Sequence, residues 1–298
     1  MVVVEDPLTQ ILKYDAGDVD WLSVVPSEVG PEMLATGRKD LKNFPGFGTE
    51  FITCMVQPTF KDGSKNPLAD VRVRQALAMA IDKASITKNI TRMGEQPSST
   101  FVPPEIYSKL GWRSTPGVPY NPARAKALLA EAGYPNGGTL PGVTFLYRSV
   151  LQTGKDEAQN LVKQWKDKLN LDIPLECQES KLVRERLNKR DYSICVSDWI
   201  GDYGDPSTFT DMYLSNSDNN NAGWANAEYD KLLGDAAREI DAQKRLRLLE
   251  KAERILNSEV PIIPLFVLTN QYMFRDNVHG INLQPRNTTI LKGMWAEH

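Results

Sequence analysis

Histidine is nearly missing from this sequence: His279 and His298 are the only two among 298 residues. A nucleophile paired with an imidazole base, as acyl-transfer enzymes need, therefore has almost nothing to be built from. Cysteine is scarce as well. Cys54, Cys177 and Cys195 are odd in number and widely spaced, which is neither a disulfide framework nor a zinc-ligand pattern. The expectation is three small buried thiols, with Cys54 and Cys195 able to pair only if their strands are neighbours. No run of 18 apolar residues occurs, so no membrane-spanning helix is expected. The most apolar stretch, 260–268, is broken by Pro261 and Pro264 and reads as a buried strand. An excess of positive charge is lacking too. The 35 Lys and Arg face 38 Asp and Glu, with no long basic run, which argues against the basic face of a nucleic-acid binder. The opening Met1 to Asp6 has no basic flank, long apolar core or small-residue cleavage site, and does not read as a signal peptide. No Gly-x-Ser-x-Gly, P-loop or dinucleotide fingerprint is found, and Gly46-Phe47-Gly48 reads as a turn. Asp198, Asp202, Asp205 and Asp211 cluster, but without the alternation and glycine of a calcium loop. No metal and no cofactor are expected.

What is present is an ordinary soluble composition, 41% hydrophobic and 24% charged, in a length that suits one large domain or two of common size. Period-2 and apolar runs predict strands at 2–4, 18–25, 51–56, 143–147, 171–177, 192–196 and 262–268. Helical spacing with caps predicts a helix over 7–16, with Asp6 as N-cap, Pro7 first and Gly17 beyond the end. A short helix should follow Ser27. Others are expected over 70–79 and from Asp82 to about Met93. The clearest has Asn121 as cap, Pro122 first and Gly133 after it. Further helices carry Leu161, Val162 and Trp165, start at Lys181, and cover 229–240 and 242–256. Loops are expected at 57–67 and, suspiciously long, at 96–120. Strands alternating with helices argue for an α/β class with a partly parallel sheet.

Several segments together resemble one family. They are Asp70-Val-Arg-Val-Arg-Gln-Ala-Leu-Ala-Met-Ala-Ile-Asp82, Tyr120-Asn-Pro-Ala-Arg-Ala-Lys-Ala-Leu-Leu-Ala-Glu-Ala-Gly-Tyr134, Trp199-Ile-Gly-Asp-Tyr-Gly-Asp-Pro206, Glu228-Tyr-Asp-Lys-Leu-Leu233 and Pro261-Ile-Ile-Pro-Leu265. In order and approximate spacing the chain is similar to the oligopeptide- and dipeptide-binding proteins of ABC importers, extracellular solute-binding protein family 5. The resemblance implies an α/β fold of the type II periplasmic-binding-protein-like kind, a mixed sheet flanked by helices, with part of a second lobe. It divides the chain into a partial lobe one (1–55), a ligand-binding lobe three (56–266) and a return segment to lobe one (267–298). Family members are longer, so the chain is expected to be their C-terminal portion. Also implied are capture of short peptides in an inter-lobe cleft, no catalysis, delivery to ABC-transporter membrane subunits, a monomer, and a periplasmic or extracellular location, often lipid-anchored.

The resemblance also assigns a ligand site. In the family a Trp-x-x-Asp segment takes the free amino terminus of the peptide, and it falls on Trp199 and Asp202. Tyr203 and Gly204 are weaker candidates beside them. Leu268, where many relatives carry tyrosine, and Asn270 lie where the chain crosses back towards lobe one. The chemistry is reasonable: a buried ammonium needs a carboxylate, and an aromatic beside it adds cation–π attraction. The competing readings make Trp199 a core aromatic, Asp202 and Asp205 turn or cap residues, Leu268 core, and Asn270 a hinge hydrogen bonder. Arg72, Arg74 and Asp82 are taken as ion-pairing structural residues, and Trp112 and Trp165 as core or edge aromatics. The same fold could instead hold a metal complex or a sugar, or act as a peptide-sensing or chaperone-like interaction protein.

Overall fold

The computed structural model describes residues 4, 6–149, 152–286 and 290–297. The strand expected at 2–4 lies, apart from Val4, outside the described residues, as does His298.

Capping chemistry sets the helices where the sequence places it. Helix α1 (Pro7–Ala16) starts with Asp6 accepting the Thr9 N–H and ends at Gly17, whose φ of 88° suits a residue without Cβ. Helix α2 (Val71–Met79) is capped by Asp70, and α3 (Pro122–Glu131) by Asn121. Helix α4 (Gln152–Leu169) buries Ala158, Leu161, Trp165 and Leu169, a stripe three and four residues apart. The Trp165 indole N–H donates to Leu77 O at 3.0 Å, tying α4 to α2. Helices α5 (Ser180–Asn188), α6 (Ala227–Arg238) and α7 (Ala242–Glu259) complete the main set.

Seven strands form one mixed sheet. They are β1 (Trp21–Leu22), β2 (Leu41–Cys54), β3 (Gln96–Pro97), β4 (Phe145–Arg148), β5 (Leu175–Gln178), β6 (Ile194–Ile200) and β7 (Ile262–Phe274). Their order is β1-β7-β2-β6-β4-β5, with β3 also on β7. Strand β4 runs parallel to β5 and β6, and the other pairs are antiparallel. The partly parallel sheet is thus as expected.

Strands β2 and β7 far exceed the expected 51–56 and 262–268. At about 3.3 Å per residue, the 14 residues of β2 span about 45 Å. Their pairing runs from Leu41 opposite Met273 to Thr53 opposite Ile262, and slips between Pro45 and Thr49 and again at Glu50/Phe51. Gly46-Phe47-Gly48 is therefore not a turn but the middle of β2. Glycine is needed because a Cβ on residue 48 would lie 2.7 Å from Trp199 O. A glycine inside a strand marks such a close backbone approach.

Cores of unequal size result. One face of the sheet buries Ile52, Phe145, Ile263 and Leu265 under α2, α3 and α4. The other carries an aromatic cluster in which Phe101 meets Phe51, Phe209 and Tyr213 edge to face, with centroids 5.1–5.5 Å apart. A small third core, with Tyr14, Leu22, Val25, Met33, Leu41 and Met273, sits at the far end of the long strands.

The long 96–120 passage is ordered by α7. Buried Glu253 accepts from the Val102 N–H and the Ser114 hydroxyl, Glu250 accepts from the Arg113 N–H, and Asn257 donates to Thr115 O. Arg74 departs from the expected ion pair. It is buried and donates to the carbonyls of Leu68, Ala69, Glu259 and Val260. Arg72 does pair with Asp70, at the surface, and Asp82 caps the Ser85 N–H. The cysteines are free. Strands β2 and β6 are neighbours, but Cys54 faces Ile194 and Cys195 faces Thr53, so the two thiols lie on opposite sides of the sheet. Cys177 is exposed rather than buried, because β5 is the sheet's edge.

Candidate functional site

A cavity of about 870 Å³ opens beside the point where β2 and β7 change register. Gln10 of α1 and the 24–28 segment form one wall. The start of α4 and the ends of β4 and β6 form the other, with Glu50, Phe266 and Leu268 between them. The two walls thus come from different cores, joined by the long strands.

The lining is acidic. Glu28, Glu50, Glu95, Glu157 and Asp198 contribute five carboxylates, against one guanidinium, Arg148, which already lies 3.3 Å from Asp198. The carboxyls of Glu50 and Glu157 are neighbours in a water-poor setting. Burial, and then the neighbouring Glu157 carboxylate, hold the Glu50 carboxyl well above its usual range. Burial pushes Glu157 up to about 7, and Glu95 is raised for the same reason. Two carboxyls in contact cannot both ionise cheaply, so one keeps its proton. Glu95 is held by the Thr91 hydroxyl at 2.8 Å and the Met93 N–H at 2.9 Å.

Trp199, Asp202, Tyr203 and Gly204 gather at the end of β6 and in the loop after it, just past cavity-lining Asp198. Trp199 is half-buried against the aromatic core, on the face of the sheet away from the cavity. Its indole N–H donates to Thr208 O at 2.9 Å, and the Asp202 N–H donates to Thr208 Oγ1 at 2.8 Å. Buried Thr208 thus fixes both residues. The Asp202 side chain is exposed, and its carboxylate has no hydrogen bond or ion pair among the described residues. Tyr203 is half exposed, its hydroxyl 3.2 Å from Ser207 Oγ. At Gly204 a Cβ would meet open space. Asp205, by contrast, is committed: it forms a two-pronged pair with Arg245 at 2.7 and 2.8 Å and accepts the Ser207 N–H. Leu268 lines the cavity. Asn270 does not: it is buried and donates to the carbonyls of Gln284 and Pro285, fastening the return segment.

The acidic residues of the cavity were missed from sequence, though a signal existed. Glu157 lies on the 157–161–165 stripe that α4 buries, and Glu50 interrupts the apolar run around Phe47, Phe51 and Ile52. A charged residue on a buried stripe is rare unless it has a partner or a role.

Comparison with known proteins gives the family. The oligopeptide-binding protein OppA of Bacillus subtilis is 30% identical over 286 residues, covering 94% of this chain and 51% of that protein. Heme-binding protein A of Haemophilus influenzae is 29% identical over 268 residues, 88% of this chain and 47% of that protein. The crystal structure of Haemophilus influenzae OppA in complex with the peptide RPPGFSPFR superposes with a TM-score of 0.81 at 27% identity, covering 99% of this chain and 57% of that one. The chain spans about half the length of the curated relatives it matches. Residues 1–221 match the model of bacterial extracellular solute-binding proteins, family 5 Middle, and the chain belongs to that family.

Proposed function

We propose that this chain is the ligand-capturing portion of a solute-binding component that collects short peptides outside the cell and hands them to the membrane subunits of an ABC importer, without catalysing a reaction. The observation that carries the reading is an open strand edge leading to a free carboxylate. Strand β4 pairs with β6 only at Ile194 and Cys195, so beyond them the β4-facing edge of β6 has no ladder partner among the described residues. That edge leads towards Asp202. An extended peptide can add there as a strand, with its ammonium on Asp202 and specificity left to side-chain pockets. Trp199 and Thr208 position the acceptor, and Tyr203, Gly204 and Leu268 flank the path. Asn270 serves it indirectly, by bracing the crossing strand.

In this reading, residues 56–266 form the ligand-binding lobe, and 1–55 with 267–298 belong to the neighbouring one. The register slips of β2 and β7 support a hinge at 45–51 opposite 264–269. A ligand of another class, as the heme-binding relative takes, is the alternative. Five lining carboxylates disfavour an acidic one. Calorimetric titration of tri-alanine and its N-acetylated form into the protein and its Asp202→Ala variant tests the site. Free tri-alanine should bind, and acetylation or the substitution should cost about 2–5 kcal/mol. Equal binding by all combinations would remove Asp202 from the site.

A further inference from the structure

The cavity carries more negative charge than capture of a peptide terminus requires, and that charge lies apart from Asp202. Glu157 is 4% exposed and lines the cavity, yet its Oε1 has no hydrogen-bond partner among the described residues. Orphaned buried acceptors are rare because the lost hydration costs about 1–3 kcal/mol. The charged groups that act on it are Glu50 on β2 and Glu95 after the 87–91 helical turn, and Asp198 on β6 lines the same cavity. The single cation in the lining, Arg148 on β4, is engaged by Asp198. Nothing on the protein side therefore neutralises the Glu50–Glu157 pair.

We propose that this cavity receives a cationic side chain, lysine or arginine, of the bound peptide, with Glu157 and Glu50 as its counter-charge. The inference rests on the peptide reading above and deepens it from sequence-tolerant capture to a preference for basic peptides. An ammonium or guanidinium would donate to the orphaned Glu157 oxygen and favour ionisation of the pair. The volume of about 870 Å³ leaves space for the long aliphatic stem and accompanying water. The cation must displace the proton that the two carboxyls share. With Glu157 at about 7, binding of a basic peptide releases protons and strengthens as pH rises from 6 to 8.

The test is a titration series using tri-alanine with one residue replaced, at each position in turn, by lysine, by uncharged norleucine of similar length, or by glutamate. It is run on the protein, on Glu157→Gln and on Glu50→Gln, at pH 6 and pH 8, with n-butylammonium as a cation without a peptide backbone. At one position lysine should bind at least tenfold tighter than norleucine, and glutamate weaker than both. The lysine preference should grow with pH and collapse in Glu157→Gln while norleucine affinity is kept. Should a variant fail to fold, the pH series on the unaltered protein still decides. Equal affinities for lysine and norleucine at every position, flat in pH, overturn the inference and leave the peptide reading standing. Binding of n-butylammonium with no binding of any peptide overturns the peptide reading, and a peptide side chain as occupant falls with it.

Discussion

Glu253 shows how much a single buried group can hold. It is fully buried in α7, accepts from the Val102 N–H and the Ser114 hydroxyl, and so fastens a segment 139–151 positions away in sequence. Burial pushes its carboxyl up to about 8 from an ordinary value of 4.5. The folded chain then binds a proton that the unfolded chain releases, so its contribution to stability is lost as pH rises from about 4.5 to about 8. Glu253→Gln, which keeps the shape and needs no proton, should be more stable than the parent at pH 8 by about 1–3 kcal/mol, and by less at pH 5. Urea unfolding of both proteins at the two pH values checks this; an equal gap at both would show that Glu253 is ionised when folded. At this scale the sequence was only partly readable. Caps such as Asp6, Asp70 and Asn121 act on neighbours two or three positions away, so their roles follow from local order. Arg74, Asn270 and Glu253 bond to backbone far along the chain, and no local pattern encodes that.

Among the elements, the crossing strands are decisive. The bulged middle of β2 brings residue 48 against β6 and β7, where an added Cβ would stand 2.7 Å from Trp199 O and 2.8 Å from Leu268 Cδ1. Gly48→Ala should therefore destabilise the fold by about 1–3 kcal/mol, as overpacking does. By displacing the β6 end that carries Trp199 and Asp202, it should also weaken peptide binding. A urea midpoint and affinity both unchanged would mean that the strands part without cost. Helices were easier to read than strands because their 3.6-residue period and caps are local signals. The lengths of β2 and β7 were not legible. Half of each strand is polar or carries Pro and Gly, and it is strand only because the matching half of the other strand supplies its partner.

For the whole molecule, cores of unequal size joined by two long strands imply unequal stability. The small core under α1 and β1 contains six buried hydrophobic residues, far fewer than the two cores on the sheet faces. Sub-global opening should start there. In hydrogen-exchange mass spectrometry, peptides covering 7–22 should exchange well before those covering 262–266, and uniform exchange across both would refute two separable units. The sequence by itself determined the family, the α/β class, the capped helices and the contiguous segment that carries Trp199 and Asp202, because each is written in contiguous motifs or a short period. Only the tertiary structure decided that Cys54 and Cys195 lie on opposite faces and that Asn270 braces the return segment. It alone collected Glu50, Glu95, Glu157 and Asp198 around one cavity. Those carboxylates are drawn from four separate stretches of chain, and their shared field exists only after folding has gathered them around one cavity.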